Sequence, residues 1–268
     1  MTPWKEYLVK KDSDAQLSAH DPDETGDFPD KEHALPQLRL QLEKLTRLQD
    51  VLYAESKHAL LIVLQAMDAG GKDGTIRHVF RGMNPQGCSA TAFKVPTQEE
   101  LRHDCLWRVH QKVPQLGMIG IFNRSHYEEA LVVRVHQHLS KKKLKQRFRE
   151  FNDFEQLLTE SGTTILKFFL HISREEQRRR LQKRLDDPRR RWKVSPSDFQ
   201  ERRYWSDYQE AYEDIFRHCS PPSAPWYIIP ANKKWFRNVT ISQIIVHTLE
   251  QLKMSYPKPV LPNHPDFK

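Results

Sequence analysis

The stretch LLIVLQAMDAGGKDGT, residues 60–75, decides the fold, because a short apolar run passes there into a glycine-rich turn that carries Lys72. An apolar strand, a tight glycine turn, a lysine and then a helix form the layout of a phosphate-binding P-loop, or Walker A motif. Backbone N–H groups in such a turn can point at phosphate oxygens, and the N-terminus of the following helix adds partial positive charge. The pattern predicts phosphoryl chemistry, with phosphate contacts from Ala69, Gly70, Gly71, Lys72, Asp73, Gly74 and Thr75.

The match to the usual pattern G-x-x-x-x-G-K-[ST] is incomplete at both ends. Ala66 replaces the first glycine, and Asp73 stands where a Ser or Thr would bind Mg²⁺. A Gly-Gly-Lys turn of this kind also occurs as an ordinary connection between a strand and a helix. The remainder of the chain has to decide between these two interpretations.

Charge is distributed unevenly along the 268 residues. Lys and Arg number 43 against 35 Asp and Glu, which gives a formal net charge of +8, and the excess is concentrated from about residue 174 onward. This balance predicts a polyanionic partner, and nucleic acid, an anionic membrane and inorganic polyphosphate all meet that condition. A solvated helix face explains such a charge run equally well.

Several classes of site are disfavoured. Cys88, Cys105 and Cys219 are widely spaced without a CxxC pair, which argues against a disulfide framework and a thiolate metal site. The thirteen histidines lack an HExxH spacing, so no zinc site is predicted, and His126 and His136 are interpreted as core or surface residues. The N-terminal segment lacks a signal-peptide apolar core, and the longest apolar run is too short to span a bilayer. We therefore expect a cytoplasmic protein with no membrane partner.

Strand-like and helix-like segments alternate along most of the chain. Residues 1–33 are interpreted as an extended arm that packs on the surface, and residues 34–268 as a single domain. Leucines spaced by three and four residues predict an amphipathic helix that begins at Pro36. Five short apolar runs predict a parallel five-stranded sheet in a three-layer, P-loop kinase-like α/β sandwich. The runs are LLIVLQ, CSATAFKV, MIGIFN, TTILKFFLHI and WYIIP.

A basic, aromatic segment at about 177–212 interrupts this alternation, and Pro188 and Pro196 divide it into two helical arms. We interpret it as a helical lid over the phosphate site. Within it, Arg180, Lys183 and Arg184 have the spacing of one helix face, which would neutralise charge on a phosphate chain.

Two positions are candidate magnesium ligands. A carboxylate within a phosphate loop is repelled by phosphates unless a cation lies between them, so Asp68 is expected to help hold Mg²⁺ and to orient or deprotonate the attacking oxygen. A simple loop cap is the alternative for Asp68. Asn123 ends the strand MIGIFN at the position of a Walker B acid, and its neutral amide makes it a weaker candidate.

Two arginines near this strand end are candidate phosphate ligands. Arg124, next to Asn123, is expected to bind phosphate oxygens with its guanidinium group, whereas Arg134, in the following helix, could either bind phosphate or lie on the surface.

Four motifs in order resemble the polyphosphate kinase 2 family over roughly residues 34–253. They are AMDAGGKDGTI, FNRSHYEE with LVVRVH, KFFLHISREEQRRRLQKRLDDPRRRWKVSPSD with ERRYWSDYQEAYED, and APWYIIPANKKWFRN. The resemblance implies transfer of the terminal phosphoryl group of inorganic polyphosphate to a nucleotide with Mg²⁺, in a reversible reaction suited to ATP regeneration. It assigns catalytic roles to Asp68, Lys72 and Arg124, and phosphate binding to Arg134, Arg178 and Arg184.

The resemblance also indicates a subgroup. Family members often carry Asp where this chain has Asn123, and the Asn-Arg-Ser form resembles a subgroup that accepts both AMP and ADP, which casts doubt on a metal-ligand role for Asn123. GMP and GDP are further candidate acceptors, and a homodimer or homotetramer is implied. Two alternatives stay open: an ATP-dependent small-molecule kinase would share the loop and lid, and a nucleic-acid-binding protein would explain the charge and the aromatic lid. A nucleic-acid-binding function would not explain the P-loop, so no nucleic-acid partner is predicted.

Overall fold

Five parallel β-strands form the centre of the molecule, which we describe from a computed structural model at residues 4–10, 13, 15–137 and 139–259. The strand order is β2-β3-β1-β4-β5, and every neighbouring pair runs parallel. The fold class predicted from the sequence is confirmed. The strands are β1 (Ala59–Gln65), β2 (Cys88–Ala92), β3 (Ile119–Asn123), β4 (Thr163–His171) and β5 (Trp226–Pro230).

Helices cover both faces of this sheet and form two separate apolar cores. They are α1 (Lys31–Glu55), α2 (Lys72–Val79), α3 (Trp107–His110), α4 (Glu128–Val135), α5 (Lys141–Glu160), α6 (Arg174–Asp186), α7 (Pro196–Glu201), α8 (Trp205–His218) and α9 (Lys234–Gln251). Helices α1, α2 and α9 pack on one face, and α4, α5 and α8 on the other. Successive residues of β1 alternate between these cores, as the two-residue period of a strand requires. In the described part of the chain, no helix is long and apolar enough to cross a membrane.

The first helix begins earlier than predicted. Asp30 accepts a hydrogen bond from the His33 N–H and caps α1, so Pro36 lies inside the helix and not at its first position. The short Asp side chain at the N-cap satisfies a free amide and sets the start, whereas the proline removes only one hydrogen bond further in. The predicted boundary between residues 33 and 34 consequently falls within α1.

The N-terminal arm packs along the β5 edge of the sheet. Leu8 forms an antiparallel bridge with Tyr227, and the Val9 N–H donates to the Trp226 carbonyl at 2.9 Å. Tyr7, Val9 and Leu17 are buried, so the arm contributes to the core. The parts of the predicted arm and domain at residues 1–3, 11, 12, 14, 138 and 260–268 lie outside the described residues.

The S/T-x-x-E spacing that predicts a capping box at a helix start occurs at Thr97 with Glu100 and at Ser173 with Glu176, and both are present in altered form. Thr97 and Glu100 exchange the two hydrogen bonds of a capping box, but they open only a short 3₁₀ helix, Glu100–Arg102. The Ser173 side chain accepts from the Glu176 N–H and caps α6, while the Glu176 carboxylate accepts from Arg179 and Arg180. The arginine partners of Glu176 therefore replace the reciprocal hydrogen bond that a capping box would have from Glu176 to Ser173.

His171, at the end of β4, makes the stability of the fold sensitive to acid. Its Nε2 lies 3.1 Å from the His20 carbonyl of the arm, and burial, aided by His20, lowers its pKa from 6.5 to about 4. Because the folded state holds this ring neutral, its stabilising contribution is complete above pH 6.5 and is lost as the pH falls toward 4. We expect the free energy of unfolding to fall by up to about 3 kcal/mol from this group alone, measured by urea unfolding across that range.

The His171→Gln variant keeps a side-chain donor but cannot titrate, so its stability should depend less on pH. A matched His103→Gln variant removes an exposed histidine, which stacks on Trp107, and should keep the wild-type pH dependence. If His171→Gln retains the full wild-type slope between pH 4 and 6.5, another group causes the acid sensitivity.

Candidate functional site

The glycine-rich loop between β1 and α2 has two left-handed residues. Ala69 has a φ of 59° and Gly71 a φ of 112°. A Cβ at Gly71 would lie 2.1 Å from Arg237 Nη1, and one at Gly70 would lie 2.4 Å from the Ala66 Cβ. Close packing behind the loop therefore requires glycine at both positions. This is a second reason for glycine, beside the access for phosphate in front of the loop that the motif predicts.

The loop amides divide into two groups. The Gly70 N–H donates to the Met67 carbonyl at 2.9 Å, and the Thr75 N–H and hydroxyl donate to the Gly71 carbonyl at 2.9 and 3.2 Å. These groups of Gly70 and Thr75 therefore stabilise the loop itself. The N–H groups of Lys72, Asp73 and Gly74 form the first turn of α2, where amides have no acceptor within the helix. They give this helix end the partial positive charge that favours phosphate.

Lys72 crosses the front of this loop. Its Nζ donates to the Ala66 carbonyl at 2.9 Å. Burial and the nearby Arg124 cation lower the pKa of Lys72, while the carboxylates of Asp68, Glu128 and Asp73 raise it. A phosphate beside Lys72 would favour its charged form, as expected for a P-loop lysine.

Arg124 lies opposite Asp68. It follows β3 with a φ of 65°, and its N–H donates to the Leu64 carbonyl at 3.1 Å. Its Nη2 donates to Asp68 Oδ1 at 3.3 Å. Burial opposes the charge on Arg124, but Glu128 and Asp68 raise its pKa above the usual value. A non-glycine residue in the left-handed region is strained, and such strain persists where the surroundings over-determine it.

A buried polar network fixes the turn that follows Arg124. Lys167 on β4 donates to the Glu155 carboxylate at 2.5 Å, the Tyr127 hydroxyl at 2.9 Å and the Cys219 carbonyl at 2.8 Å. His126 Nε2 lies 3.3 Å from the same Glu155 carboxylate. His126 is fully buried and lies in the core, one of the two placements predicted for it. The network joins the turn to the sheet and to α5, and thereby holds the backbone that carries Arg124.

A cavity of about 260 Å³ lies between the loop and the lid segment. Asp68, Arg124 and Glu128 line one side, and the lid contributes residues from α6 to α8 on the other. Gln177 of the lid donates to the Asp68 carbonyl at 3.0 Å, so the lid rests directly on the loop. The lid residues that line the cavity are Gln177, Ser197, Asp198, Glu201, Arg202, Tyr208 and Tyr212.

The carboxylates of this cavity suit a hard cation. Asp68, Glu128 and Asp198 all line it, and burial together with repulsion from Asp68 raises the pKa of Asp198. Within the described ranges, no three acidic, histidine or cysteine side chains are close enough together to hold a metal by themselves. Mg²⁺ is usually held by one or two carboxylates and completed by water and substrate phosphates. The donors present therefore fit a magnesium ion that shares its coordination with phosphate.

Asp73 joins three parts of the site through its side chain. Asn123 Nδ2 donates to Asp73 Oδ1 at 2.9 Å, and Lys193 at the lid tip lies 3.1 Å from Asp73 Oδ2. The Asn123 amide thus points its donor at Asp73, a contact that gives no support to its predicted role as a metal ligand. The Asp73 carboxylate acts as a connection between loop, strand end and lid.

The arginines predicted to bind phosphate occupy different surroundings. Arg134 pairs with Asp214 at 2.7 Å and connects α4 to α8. Arg178 pairs with Glu175 on the exposed side of α6. Arg184 is half-buried near Asp198, whose pKa it lowers against the larger effect of burial. Of these three predicted residues, Arg184 interacts with the lining residue Asp198, and Arg178 with the lining residue Arg202, whose charge it opposes.

Two further arginines lie behind the loop. Arg180, expected to face the phosphates, instead donates to the Ala69 and Gly70 carbonyls at 3.1 and 2.8 Å and pairs with Glu176 at 2.6 Å. Arg237 of α9, which sequence reasoning missed, donates to the Gly71 carbonyl at 3.3 Å. The available signal for Arg237 was its place as the one Lys, Arg, Asp or Glu between Lys234 and Glu250 of α9.

Comparison with known proteins agrees with this geometry. A family model described as Polyphosphate kinase 2 (PPK2) matches residues 29–257. The chain is 54% identical to an AMP/ADP-polyphosphate phosphotransferase of Meiothermus ruber, over 95% of this chain and 96% of that protein. It is 47% identical to an ADP-polyphosphate phosphotransferase of Rhodopseudomonas palustris, over 86% of this chain and 84% of that protein.

A solved structure shows the same architecture. The crystal structure of polyphosphate kinase 2 from Arthrobacter aurescens superposes with a TM-score of 0.94 at 43% identity, and the match covers 98% of this chain and 94% of that one. The family model and the two relatives each span most of the chain, including the loop, the Arg124 turn and the lid. This protein belongs to the polyphosphate kinase 2 family.

Proposed function

We propose that this protein transfers the terminal phosphoryl group of inorganic polyphosphate to ADP and to AMP, with Mg²⁺. The observation that carries the proposal is the meeting of Asp68 and Arg124 at one cavity between a phosphate-binding loop and a basic lid, with Lys72 of the loop near enough to both for their charges to act on its pKa. Acceptance of both nucleotides follows the name of the Meiothermus ruber relative, an AMP/ADP-polyphosphate phosphotransferase that is 54% identical to this chain, whereas the Rhodopseudomonas palustris relative, named an ADP-polyphosphate phosphotransferase, is 47% identical.

A basic surface beside the loop favours polyphosphate as the donor. Burial lowers the pKa of His78, and the neighbouring cations Arg237, Arg77 and Arg81 lower it further. Burial and the cations Arg180, Arg237 and Lys183 act in the same direction on Lys234. Arg180 and Arg237 are buried, but the exposed cations of this set would be stabilised by a long polyanion. They are Arg77, Arg81, Lys183 and Lys234. A kinase restricted to ATP would have less use for such an extended surface.

The chemistry assigned to the site is in-line attack by a nucleotide phosphate oxygen on the terminal phosphorus of polyphosphate, with release of the shortened chain. Lys72 and the first amides of α2 bind phosphate oxygens, and Arg124 neutralises charge on the transferring group. Asp68 orients the attacking oxygen. When bound beside Asp68, Mg²⁺ supplies charge neutralisation between donor and acceptor phosphates. The lid excludes water, which would otherwise compete as acceptor.

The direct test is ATP formation from ADP, Mg²⁺ and long-chain polyphosphate. We expect ATP to form only when polyphosphate is present, and ADP to form from AMP under the same conditions. A reaction without polyphosphate exposes any adenylate kinase activity, and ATP with AMP but no polyphosphate tests for a kinase that uses ATP. Turnover that does not depend on polyphosphate would contradict the proposed donor.

Three further proposals rest on the family resemblance. They are acceptance of GMP and GDP, assembly into a homodimer or homotetramer, and a cytoplasmic location. Size-exclusion chromatography with light scattering tests the second, and the ADP assay repeated with GDP tests the first.

A further inference from the structure

Arg237 is a buried cation among neutral partners. Its side chain is 1% exposed, and its Nη1 donates to the Gly71 carbonyl at 3.3 Å. Its Nε and Nη2 donate to Asn238 Oδ1 at 3.1 and 2.8 Å. Among the described residues, no carboxylate pairs with it, and burial and the nearby Arg180 lower its pKa to about 9. Burial of an arginine without a counter-charge is unfavourable for the fold, so its presence here requires an explanation.

Arg180, which lies beside Arg237 behind the loop, has a carboxylate partner. It pairs with Glu176 and also donates to the carbonyls of Ala231 and Asn232 at 2.5 and 3.1 Å. Arg180 thereby joins α6, the loop and the end of β5, and it has the satisfied contacts of a structural residue. The difference between two adjacent buried arginines points to a separate task for Arg237.

The hydrogen bonds to the Gly71 carbonyl set the direction of a loop amide. In a planar trans peptide, the carbonyl of one residue and the N–H of the next point in opposite directions. Arg237 shares the Gly71 carbonyl with the N–H and hydroxyl of Thr75 at the back of the loop, so the Lys72 N–H points to the front. Arg180 does the same for the Gly70 carbonyl and the Gly71 N–H. The guanidinium also fills the space that a side chain at Gly71 would occupy.

We propose that Arg237 is a positioning residue for phosphate binding, which acts with Thr75 to keep the Lys72 N–H directed toward the ligand and supplies from behind the loop a positive charge that is unpaired until phosphate binds. The cation destabilises the ligand-free fold, and an anion in front of the loop offsets that effect. The proposal rests on the proposed function only in taking the ligand to be a chain of phosphates.

The test compares stability and affinity in one variant. We expect the nucleotide-free Arg237→Met variant to melt at or above the wild-type temperature, because the substitution removes an unpaired buried charge and keeps the volume. Its affinity for inorganic tripolyphosphate, measured by calorimetry, should fall by about tenfold or more. The rise in melting temperature that tripolyphosphate causes in the wild-type protein should largely disappear.

Two control variants separate this effect from general ones. Arg180→Met should melt at a lower temperature, because it takes one of two arginine partners from the buried Glu176 and a guanidinium donor from four carbonyls. Arg39→Met removes one exposed charge from α1 and should change neither the melting temperature nor the affinity.

A lower melting temperature of Arg237→Met with unchanged tripolyphosphate affinity would show a purely structural residue and overturn the proposal. Should Arg237→Met fail to fold, Arg237→Gln decides, since glutamine keeps a donor for Gly71 and lacks the charge. Wild-type affinity in Arg237→Gln would likewise overturn it, and a loss of about tenfold would support it. These measurements need no turnover, so a wild-type protein that binds tripolyphosphate but makes no ATP from polyphosphate would refute the proposed function alone.

Discussion

The Asp68→Asn variant is expected to transfer phosphoryl groups at least about 100-fold more slowly than the wild-type protein while folding normally. Asparagine keeps the shape of the side chain and an oxygen for Arg124, which lies 3.3 Å away. It removes the negative charge that would bind Mg²⁺ and orient the attacking phosphate. The carboxylate is partly exposed at the cavity, so its neutralisation leaves no buried group unpaired. The measurement is kcat for ATP formation at saturating polyphosphate, with a melting curve for each protein.

An exposed aspartate supplies the control. Asp153 lies on the solvent side of α5, so Asp153→Asn should match the wild-type protein in both rate and melting temperature. Raising the Mg²⁺ concentration should restore part of the activity of Asp68→Asn if the lost charge acts through the metal. Near-normal turnover in Asp68→Asn would leave this residue with the role of a loop cap only.

Lys72→Met should lower kcat/KM for polyphosphate by about 100- to 1,000-fold, because it removes a cation held in front of the loop. The lysine lies where the amides of the first turn of α2 also converge, so its charge acts on the same phosphate oxygens. The loss should appear in kcat as well as in KM, since charge on the transferring group increases toward the transition state. Steady-state kinetics with polyphosphate as the varied substrate measure both constants.

A lysine outside the site provides the comparison. Lys57 precedes β1 at the opposite end of the strand from the loop and is exposed. Lys57→Met loses the same charge and should keep wild-type kinetics. If the two variants behave alike, net charge and not the loop lysine governs the interaction with polyphosphate.

The sheet was predictable because four of its strands, β1, β3, β4 and β5, are almost fully buried. Their runs, such as residues 60–65, are mainly apolar, which is typical of a parallel sheet between helix layers, whereas β2 at the sheet edge is mostly exposed. The start of α1 was not predicted, since a proline is favourable at the first helical position and Pro36 competed with Asp30 for that assignment. The hydrogen bond from the His33 N–H to Asp30 sets the start of α1, and it depends on the conformation of residues that precede the apolar pattern.

The site was predictable where one short segment carries it. Asp68 and Lys72 belong to the loop itself, and Arg124 follows a strand that ends at the same edge of the sheet. The contacts of the lid arginines were not predictable, because each residue along a helix is rotated by about 100° from the one before it. Arg178 and Arg180 differ by two residues, and one is exposed while the other is buried behind the loop. Arg237 reaches Gly71 from 166 residues away, a contact that no local pattern indicates.

The contact between Asn123 and Asp73 bears on how this enzyme can be recombined with its relatives. The amide of Asn123 donates to the Asp73 carboxylate at 2.9 Å, so the two positions fit one another only while one of them is uncharged. An aspartate at 123 would place two carboxylates in contact, with Lys193 as the remaining partner of Asp73. The phosphate loop, the end of β3 and the part of the lid around Lys193 should therefore be exchanged together in a chimera. A chimera that transplants the loop without the residue at 123 breaks a matched pair, whereas one that moves both together keeps it.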